Sequence, residues 1–476
     1  ASLATLTLVD LKTGKFQDML IRLDNAYKDE AAKYQILGRY KIKTILSKEL
    51  FDINLAQENF SKDLLKNSKD QFDLLFYFAP YQVFDSKQAA FYIKKANITG
   101  FVDDNFNTGN YLAASRALSS TNVKIASIIN HALNQRLRQA NAEFKALLDI
   151  YPEHSILHYN LALTYAQLQN YELAYKHFAS SYHLNPKNYQ AGAFAMLSAK
   201  LSGADTHKFY NEILENISVD TEFKATMAKS MLFLANADFI SMLPFLDEIK
   251  QETPLSLIFE AIIAKNNGLN QQVGVKIAKL KALLPNDIVS NILYFNSLNK
   301  NASIKEYAQN AQIHFKNLGF DYRAVFGGAD IAREYYVSLM HIAGLLNLER
   351  QKFKEYLNTN AGQNEGAIQT LAYLDIFAGQ FEEAYALYNE LIDTYGVRDS
   401  HTLFLAAVAA TGANNPNSAI ALLQLAKLND NGNKESKAAL GFLYHEVQNY
   451  EPALLQYKSL PNDFKSKFFT FDLRRE

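Results

Sequence analysis

The sequence predicts an all-α fold, an irregular solenoid in which antiparallel helix pairs stack into a right-handed superhelix. Three residues of one unit recur 34 positions later in the next: Ala140, Phe144 and Pro152 are followed by Ala174, Phe178 and Pro186. The length of 476 residues exceeds what a single hydrophobic core usually organises. Stacked repeats avoid that limit, because each repeat buries its apolar face only against its neighbours.

The clearest unit covers residues 155–188 and consists of two predicted helices that join at Asn170. The unit matches the tetratricopeptide-repeat (TPR) consensus at these positions: Leu161, Ala162, Tyr165, Tyr171, Ala174, Phe178 and Pro186. His158 stands where that consensus has its first-helix tryptophan. The sequence therefore resembles the TPR family, and the resemblance implies helix pairs that present a long binding surface and seldom carry chemistry.

The helical pattern predicts several segments along the chain. Clear TPR-like units are predicted at 121–154, 155–188 and 254–287, within a solenoid at 121–318. The other predicted segments are a divergent helical-repeat segment at 1–120, an interrupting loop at 319–330, a C-terminal TPR-like solenoid at 331–461 and a tail or cap at 462–476. Individual helices are predicted at 16–27, 31–48, 50–66, 71–84, 87–95 and 239–251. The interrupting loop contains Gly327 and Gly328, which we interpret as a turn because no phosphate-loop spacing surrounds them.

Composition excludes several functional classes. The chain has 48 Lys and Arg against 49 Asp and Glu, whereas a nucleic-acid binder normally has a basic surface. It has no cysteine, which excludes disulfides, Cys-ligated zinc and a thiol nucleophile. No apolar stretch reaches the roughly 18 residues that a membrane-spanning helix needs. The sequence opens on Ala1, so we expect a mature or excised fragment whose targeting segment or membrane anchor would lie upstream.

No set of residues predicts catalysis. The sequence lacks nucleophile-elbow, phosphate-loop and dinucleotide motifs, so we expect neither an enzyme nor a cofactor. His154 and His158 are four residues apart, as two zinc ligands on a helix would be. No third ligand follows at a suitable spacing, and we expect no metal site there.

The inner face of the solenoid is the predicted binding surface. In the TPR family the first helix of each pair lines that face, which implies these partner-binding residues: Tyr159, Leu163, Gln167, Tyr373, Phe377, Phe404, Phe442 and His445. Most are aromatic or apolar, whereas a clamp for a C-terminal carboxylate would present Lys and Asn. The face suits a partner helix or extended segment held by aromatic anchors. The alternative, that these side chains only pack inside a tightly wound superhelix, stays open.

These observations predict a non-enzymatic protein–protein interaction scaffold within a large assembly. The degenerate repeats, the composition rich in Asn, Lys, Phe and Tyr, and the lack of cysteine resemble the periplasmic paralysed-flagella scaffolds of bacterial flagellar motors. That resemblance implies motor proteins as partners, a place in the disk that positions the stator units, and a periplasmic location. The alternatives are a TPR assembly protein of a pilus, secretion or outer-membrane biogenesis system, or the helical arm of an enzyme whose catalytic domain is absent. A cytoplasmic location also stays open.

The repeat register is testable at Ala174, where the predicted helices approach most closely. We expect Ala174→Leu to lower the free energy of unfolding by about 1–3 kcal/mol, because the larger side chain overpacks the helix pair. Urea denaturation followed by circular dichroism measures the change. An unchanged midpoint would mean that the register is wrong.

Overall fold

The computed structural model describes residues 2–83, 120–248, 250–316, 322–360, 365–429 and 433–474. The chain divides into two compact units. We call Ser61–Ser338 the central unit, and Ala1–Phe60 together with Leu339–Glu476 the terminal unit. Among the described residues both units consist of paired α-helices, with one two-stranded sheet in the terminal unit. The predicted all-α, TPR-like fold is confirmed.

Helices make up nearly all of the described elements, and the two strands lie toward opposite ends of the chain. The first part of the chain contains α1 (Leu3–Thr13), α2 (Phe16–Ala26), α3 (Glu30–Leu37), β1 (Ile42–Leu46), α4 (Lys48–Phe51), α5 (Ile53–Asn59) and α6 (Ser68–Phe78). The middle contains α7 (Ser120–Leu133), α8 (Leu137–Ile150), α9 (Ser155–Gln167), α10 (Tyr171–Leu184), α11 (Tyr189–Ser202), α12 (His207–Ser218), α13 (Phe223–Ala235), a 3-10 helix (Ile240–Asp247), α14 (Pro254–Asn266), α15 (Asn270–Leu283), α16 (Ile288–Leu298), α17 (Ile304–Lys316), α18 (Tyr322–Gly327) and α19 (Asp330–Ile342). The last part contains α20 (Leu346–Thr359), α21 (Glu365–Phe377), α22 (Phe381–Asp393), α23 (Ser400–Gly412), α24 (Pro416–Asn429), α25 (Lys434–Glu446), α26 (Tyr450–Lys458) and β2 (Phe469–Leu473).

The unit at 155–188 forms α9 and α10, the helix pair that the 34-residue step predicts. Asn170 caps α10, because its side chain accepts a hydrogen bond from a backbone N–H three residues further on. Ala174 is fully buried, and the ring of Phe178 lies 5.6 Å from that of Tyr159. α10 also packs on α11, so each helix buries its apolar face against the next.

Two predictions for the central unit are wrong. The helix at 239–251 is a 3-10 helix at Ile240–Asp247, since Pro244 has no N–H for an α-helical ladder. The interrupting loop at 319–330 contains the helix α18, and α19 begins at Asp330. Residues 317–321 lie outside the described part.

The helix predicted at 31–48 is also wrong. α3 ends at Leu37, and the residues of β1 pair antiparallel with β2, so that Thr44 lies opposite Phe471. Ile42 and Thr44 are buried and Lys43 between them is exposed, as in a pleated strand with one buried face. Helical periodicity could not identify its partner, which lies at the other end of the sequence. The segment at 462–476, predicted as a tail or cap, thus contributes a strand to the terminal unit.

The other N-terminal predictions need adjustment. The helix at 50–66 is interrupted at Asp52, whose side chain caps α5 by accepting backbone hydrogen bonds. The helix at 71–84 ends at Phe78, because Ala79 precedes Pro80 and takes an extended conformation. The helix at 87–95 lies outside the described residues. The single segment at 1–120 is not one packing unit, since the two units meet in sequence between Phe60 and Ser61.

Gly327 and Gly328 form a close contact within the central unit. A Cβ on Gly327 would overlap the backbone carbonyl oxygen of Gln135, in the turn between α7 and α8. A Cβ on Gly328 would overlap the side-chain amide of the same glutamine. The glycine pair therefore lets the end of α18 pack directly against that turn.

We expect Gly327→Ala to lower the free energy of unfolding of the central unit by about 1–3 kcal/mol, because the new methyl group meets rigid backbone. Gly274→Ala is the matched control, since a Cβ at this helical position in α15 meets no atom within 4 Å. That substitution should raise stability by up to about 1 kcal/mol through helix propensity. Urea denaturation of both variants measures the difference, and equal midpoints would contradict the contact.

Candidate functional site

The inner-face residues of α9 lie beneath another segment of the central unit. Tyr159 is fully buried, and its hydroxyl donates a 3.1 Å hydrogen bond to the carbonyl oxygen of Pro80. Gln167 is half-buried and donates from Nε2 to the carbonyl oxygen of Phe76 at 2.9 Å. Leu163 is fully buried on the same helix. α6 and residues 79–83 cover these positions, as in the alternative that the side chains pack inside the solenoid.

Asn160 holds the covering segment by its backbone. The Gln82 N–H donates to Asn160 Oδ1 at 2.9 Å, and Asn160 Nδ2 donates to the Gln82 carbonyl oxygen at the same distance. Both residues are almost completely buried, so these bonds replace water for two backbone groups that belong to no helix. One asparagine therefore satisfies both polar groups of an extended residue.

Asn188 holds the same glutamine by its side chain. Gln82 Nε2 donates to Asn188 Oδ1 at 3.0 Å, and Asn188 Nδ2 donates to Gln82 Oε1 at 2.8 Å. The two amides thus form a closed, buried pair. Sequence analysis missed both asparagines. For Asn160 the available signal was an amide among the mostly apolar residues 156–163 of α9.

Aromatic rings position the residues around Gln82. The Tyr81 ring stacks 6.3 Å from Phe144, and its hydroxyl donates to Gln167 Oε1 at 3.0 Å. On α6, the Phe76 ring contacts Phe194 edge-to-face at 5.3 Å. The contact between the covering segment and the helices beneath it therefore combines aromatic rings with amides at defined positions.

Asp73 anchors α6 to the turn between α9 and α10. Its Oδ1 accepts a hydrogen bond from the Tyr171 hydroxyl at 2.6 Å, and Lys69 Nζ lies 2.8 Å from Oδ2. Gln169 Nε2 donates to the same Oδ2 at 3.4 Å. Burial raises the pKa of Asp73 to about 6, in spite of the opposing charge of Lys69.

The inner-face aromatics of the terminal unit also contact residues of their own unit. Phe377 lies 5.4 Å from Phe51 and 5.1 Å from Tyr373, between ring centroids. Phe404 lies 5.3 Å from Phe468, and Phe442 lies 5.2 Å from Phe471. Tyr373, Phe404 and Phe442 are buried, and Phe377 is half-buried. These predicted partner-binding residues therefore face the chain's own segments rather than an open groove.

Polar side chains fix the covering segments of the terminal unit too. His445 is buried and donates from Nε2 to the Leu37 carbonyl oxygen at 2.9 Å. Burial lowers the pKa of His445 to about 4. Glu446 Oε2 accepts the N–H of Thr44 at 2.8 Å, and Glu435 Oε1 accepts the N–H of Lys467 at 2.7 Å.

The histidines on α9 do not form a ligand pair. His154 accepts the N–H of Leu157 and caps the helix. His158 donates from Nε2 to the Pro152 carbonyl oxygen at 2.8 Å, and its Nδ1 lies 3.0 Å from His177 Nδ1. In the part of the chain that the structure describes, no group of three or more His, Asp or Glu residues could hold a metal ion. Every helix described is too short or too polar to cross a lipid bilayer.

No protein-family model and no curated protein matches this chain. Among solved structures it is similar to a human IFIT1 dimer with m7Gppp-AAAA, at 14% identity and a TM-score of 0.32, over 96% of this chain and 89% of that one. It is also similar to Naa15/Naa10 bound to HypK-THB, at 12% identity and a TM-score of 0.24, over 95% of this chain and 67% of that one. Since both TM-scores lie below 0.5, we draw no conclusion about this chain from either neighbour.

The raised pKa of Asp73 predicts a pH-dependent stability. Between about pH 4 and pH 6 the native state holds more protons than the unfolded state, so the free energy of unfolding falls as the pH rises. We expect a loss of up to about 3 kcal/mol across this window. Asp73→Asn should remove this contribution, whereas replacing the exposed Asp149 with Asn should not. Urea denaturation at pH 4, 5, 6 and 7 measures the slopes, and equal slopes for wild type and Asp73→Asn would contradict the prediction.

Proposed function

We propose that this protein is a non-enzymatic scaffold that binds other proteins within a large assembly. One observation carries the proposal: the inner faces of both units have the groups that hold polypeptide. Asn160 binds a backbone N–H and C=O together, and Glu446 binds a backbone N–H. These groups are set among aromatic anchors such as Phe144 and Phe442. Backbone hydrogen bonds beside aromatic pockets are how proteins recognise peptides.

Charge favours protein over nucleic acid as the partner. The sequence has a net charge of −1, and the side chains that hold backbone in the terminal unit include the carboxylates Glu435 and Glu446. Phosphate groups would instead require clustered Lys and Arg. The polar groups described in both inner faces hold backbone or side chains of the covering segments, which supports binding rather than catalysis.

The assembly we propose is the periplasmic disk of a bacterial flagellar motor, where the scaffold would position stator units. Support for this choice comes from the resemblance of the sequence in repeat pattern and composition to the paralysed-flagella scaffolds. The competing assemblies are pilus, secretion and outer-membrane biogenesis systems, together with an enzyme that this chain would serve as a helical arm. Identifying the neighbouring proteins distinguishes among them.

Site-specific photo-cross-linking in native cell envelopes tests this function. A photoreactive amino acid at Leu428 or Ile313, whose side chains are 82% and 77% exposed, should yield covalent products with flagellar motor proteins. The matched control is the same group at Leu423, which lies on the same helix as Leu428 but is fully buried and should react only with its own chain. Mass spectrometry identifies the products. Products containing pilus, secretion or outer-membrane assembly proteins would contradict the motor assignment, and the absence of any protein partner at the exposed positions would contradict the scaffold.

A further inference from the structure

The exposed face of the strand pair in the terminal unit carries positive charges that no acidic group neutralises. Ile42 and Thr44 point inward and are buried. Because side chains alternate along a strand, Lys41 and Lys43 point to the exposed side. Arg474 lies opposite Lys41, and its N–H donates to the Lys41 carbonyl oxygen at 2.9 Å. None of these three cations forms an ion pair with any residue that the structure describes.

This arrangement costs stability, and the nearest acidic side chain does not relieve the repulsion. Like charges directly opposite each other across a strand pair destabilise it, as Lys41 and Arg474 do here. Asp472 is the one acidic residue in the sequence of β2, and its Oδ1 lies 3.4 Å from Lys12 Nζ. With Lys43, four cations therefore share a single carboxylate. The excess positive charge attracts further carboxylates to this face.

The edge of β2 beside these charges is open to another strand. Hydrogen-bonded and non-hydrogen-bonded pairs alternate along an antiparallel ladder. Since Arg474 and Lys41 form a hydrogen-bonded pair, Leu473 directs its N–H and C=O away from β1. No described residue bonds to either group, and Leu473 is 52% exposed. An extended polypeptide can therefore pair with β2 at this residue.

Lys12 sets the limit of the open edge. Its Nζ donates to the carbonyl oxygen of Phe471, the preceding carbonyl of β2 that points away from β1. Phe471 is also buried, so an added strand meets free backbone groups only from Leu473 onward. The side chains of that strand would lie beside Lys12 and Arg474. Because the backbone contact is short, the charges supply most of the attraction.

We propose that this face and edge form a docking surface for an acidic, extended segment of a partner protein. We call Lys12, Lys41, Lys43 and Arg474 the basic sheet face. Carboxylates at alternate positions of an extended segment lie on one side of it, where they meet these cations together. Nucleic acid also offers negative charge, but its phosphates cannot donate a hydrogen bond to the Leu473 carbonyl oxygen. The inference rests on the proposed scaffold function and adds the chemistry of one partner segment.

Fluorescence anisotropy with a labelled peptide and the full chain tests the docking surface. The peptide Thr-Glu-Val-Glu-Thr-Glu with Gly-Ser flanks has its carboxylates at alternate positions. A peptide of the same composition with its three glutamates adjacent is the matched control, and it should bind at least threefold more weakly. Raising the salt concentration from about 50 mM to about 500 mM should weaken binding of the alternating peptide at least tenfold, because ions screen exposed charges. Equal binding of the two peptides would contradict an extended bound form.

Lys41→Glu separates binding from folding. The new carboxylate lies opposite Arg474, so the thermal midpoint should rise by up to about 3 °C while the affinity for the alternating peptide falls at least tenfold. Lys305→Glu, which changes an exposed lysine of α17, is the charge-matched control and should leave the affinity within twofold of wild type. Loss of affinity in a stabilised variant cannot result from misfolding. Unchanged affinity, or a lower midpoint, would overturn the proposal.

Leu473→Pro tests the open edge. Proline removes the outward N–H without breaking a bond to β1, so the chain should fold and bind the alternating peptide at least threefold more weakly. Leu473→Ala keeps the N–H and should bind as wild type does. Equal affinities of the two variants would rule out strand addition at this edge.

A labelled oligothymidine distinguishes polypeptide from nucleic acid as the occupant. Tighter binding of this oligonucleotide than of the alternating peptide, lost in Lys41→Glu, would assign the surface to nucleic acid and overturn the proposal. If the peptide fails to bind while cross-linking at Leu428 and Ile313 still identifies assembly proteins, the scaffold function stands and only this docking surface is wrong.

Discussion

The pairing of Asn160 with the backbone of Gln82 resolves a constraint that governs the central unit. Proline at position 80 prevents α6 from continuing, so the residues after it enter the interior without helical hydrogen bonds. A buried polar group that lacks a hydrogen-bond partner costs about 1–3 kcal/mol. Residues 79–83 bury several backbone groups that need such partners. Side-chain amides supply the missing partners, which allows α6 and the aromatic rings around it to be buried as one apolar layer.

The terminal unit meets the same constraint with charge. Its covering segments include the pair of β1 and β2 and the residues just before β2. The backbone groups of these segments that the strand pairing does not satisfy also need partners. Glu446 and Glu435 accept those N–H groups, and hydrogen bonds to a carboxylate are stronger than those between neutral groups. Burial raises the pKa of Glu435, because the carboxylate loses solvation there. The two units thus use neutral and charged groups for the same purpose.

Helix pairs with a regular period were predictable, because local spacing alone determines which residues face a neighbour. The pair α9 and α10 follows the predicted register for that reason, and Ala174 is fully buried. Periodicity could not predict the long-range contacts. β1 depends on a partner from the other end of the sequence, and Tyr159 is covered by residues some eighty positions before it (|i−j| = 79 for its bond to Pro80). Inner-face positions were identified from the family resemblance, but what covers them depends on tertiary structure.

The β1–β2 pair has a consequence for the order of events during synthesis. A protein chain emerges from the ribosome starting with its N-terminus, and early segments fold as soon as their partners are available. β1 is complete long before β2 exists, so for most of translation its strand edges remain without this partner. The central unit contains every segment it needs in one continuous stretch. The terminal unit must wait for β2, and in that interval the edges of β1 are exposed to mispairing with other strands.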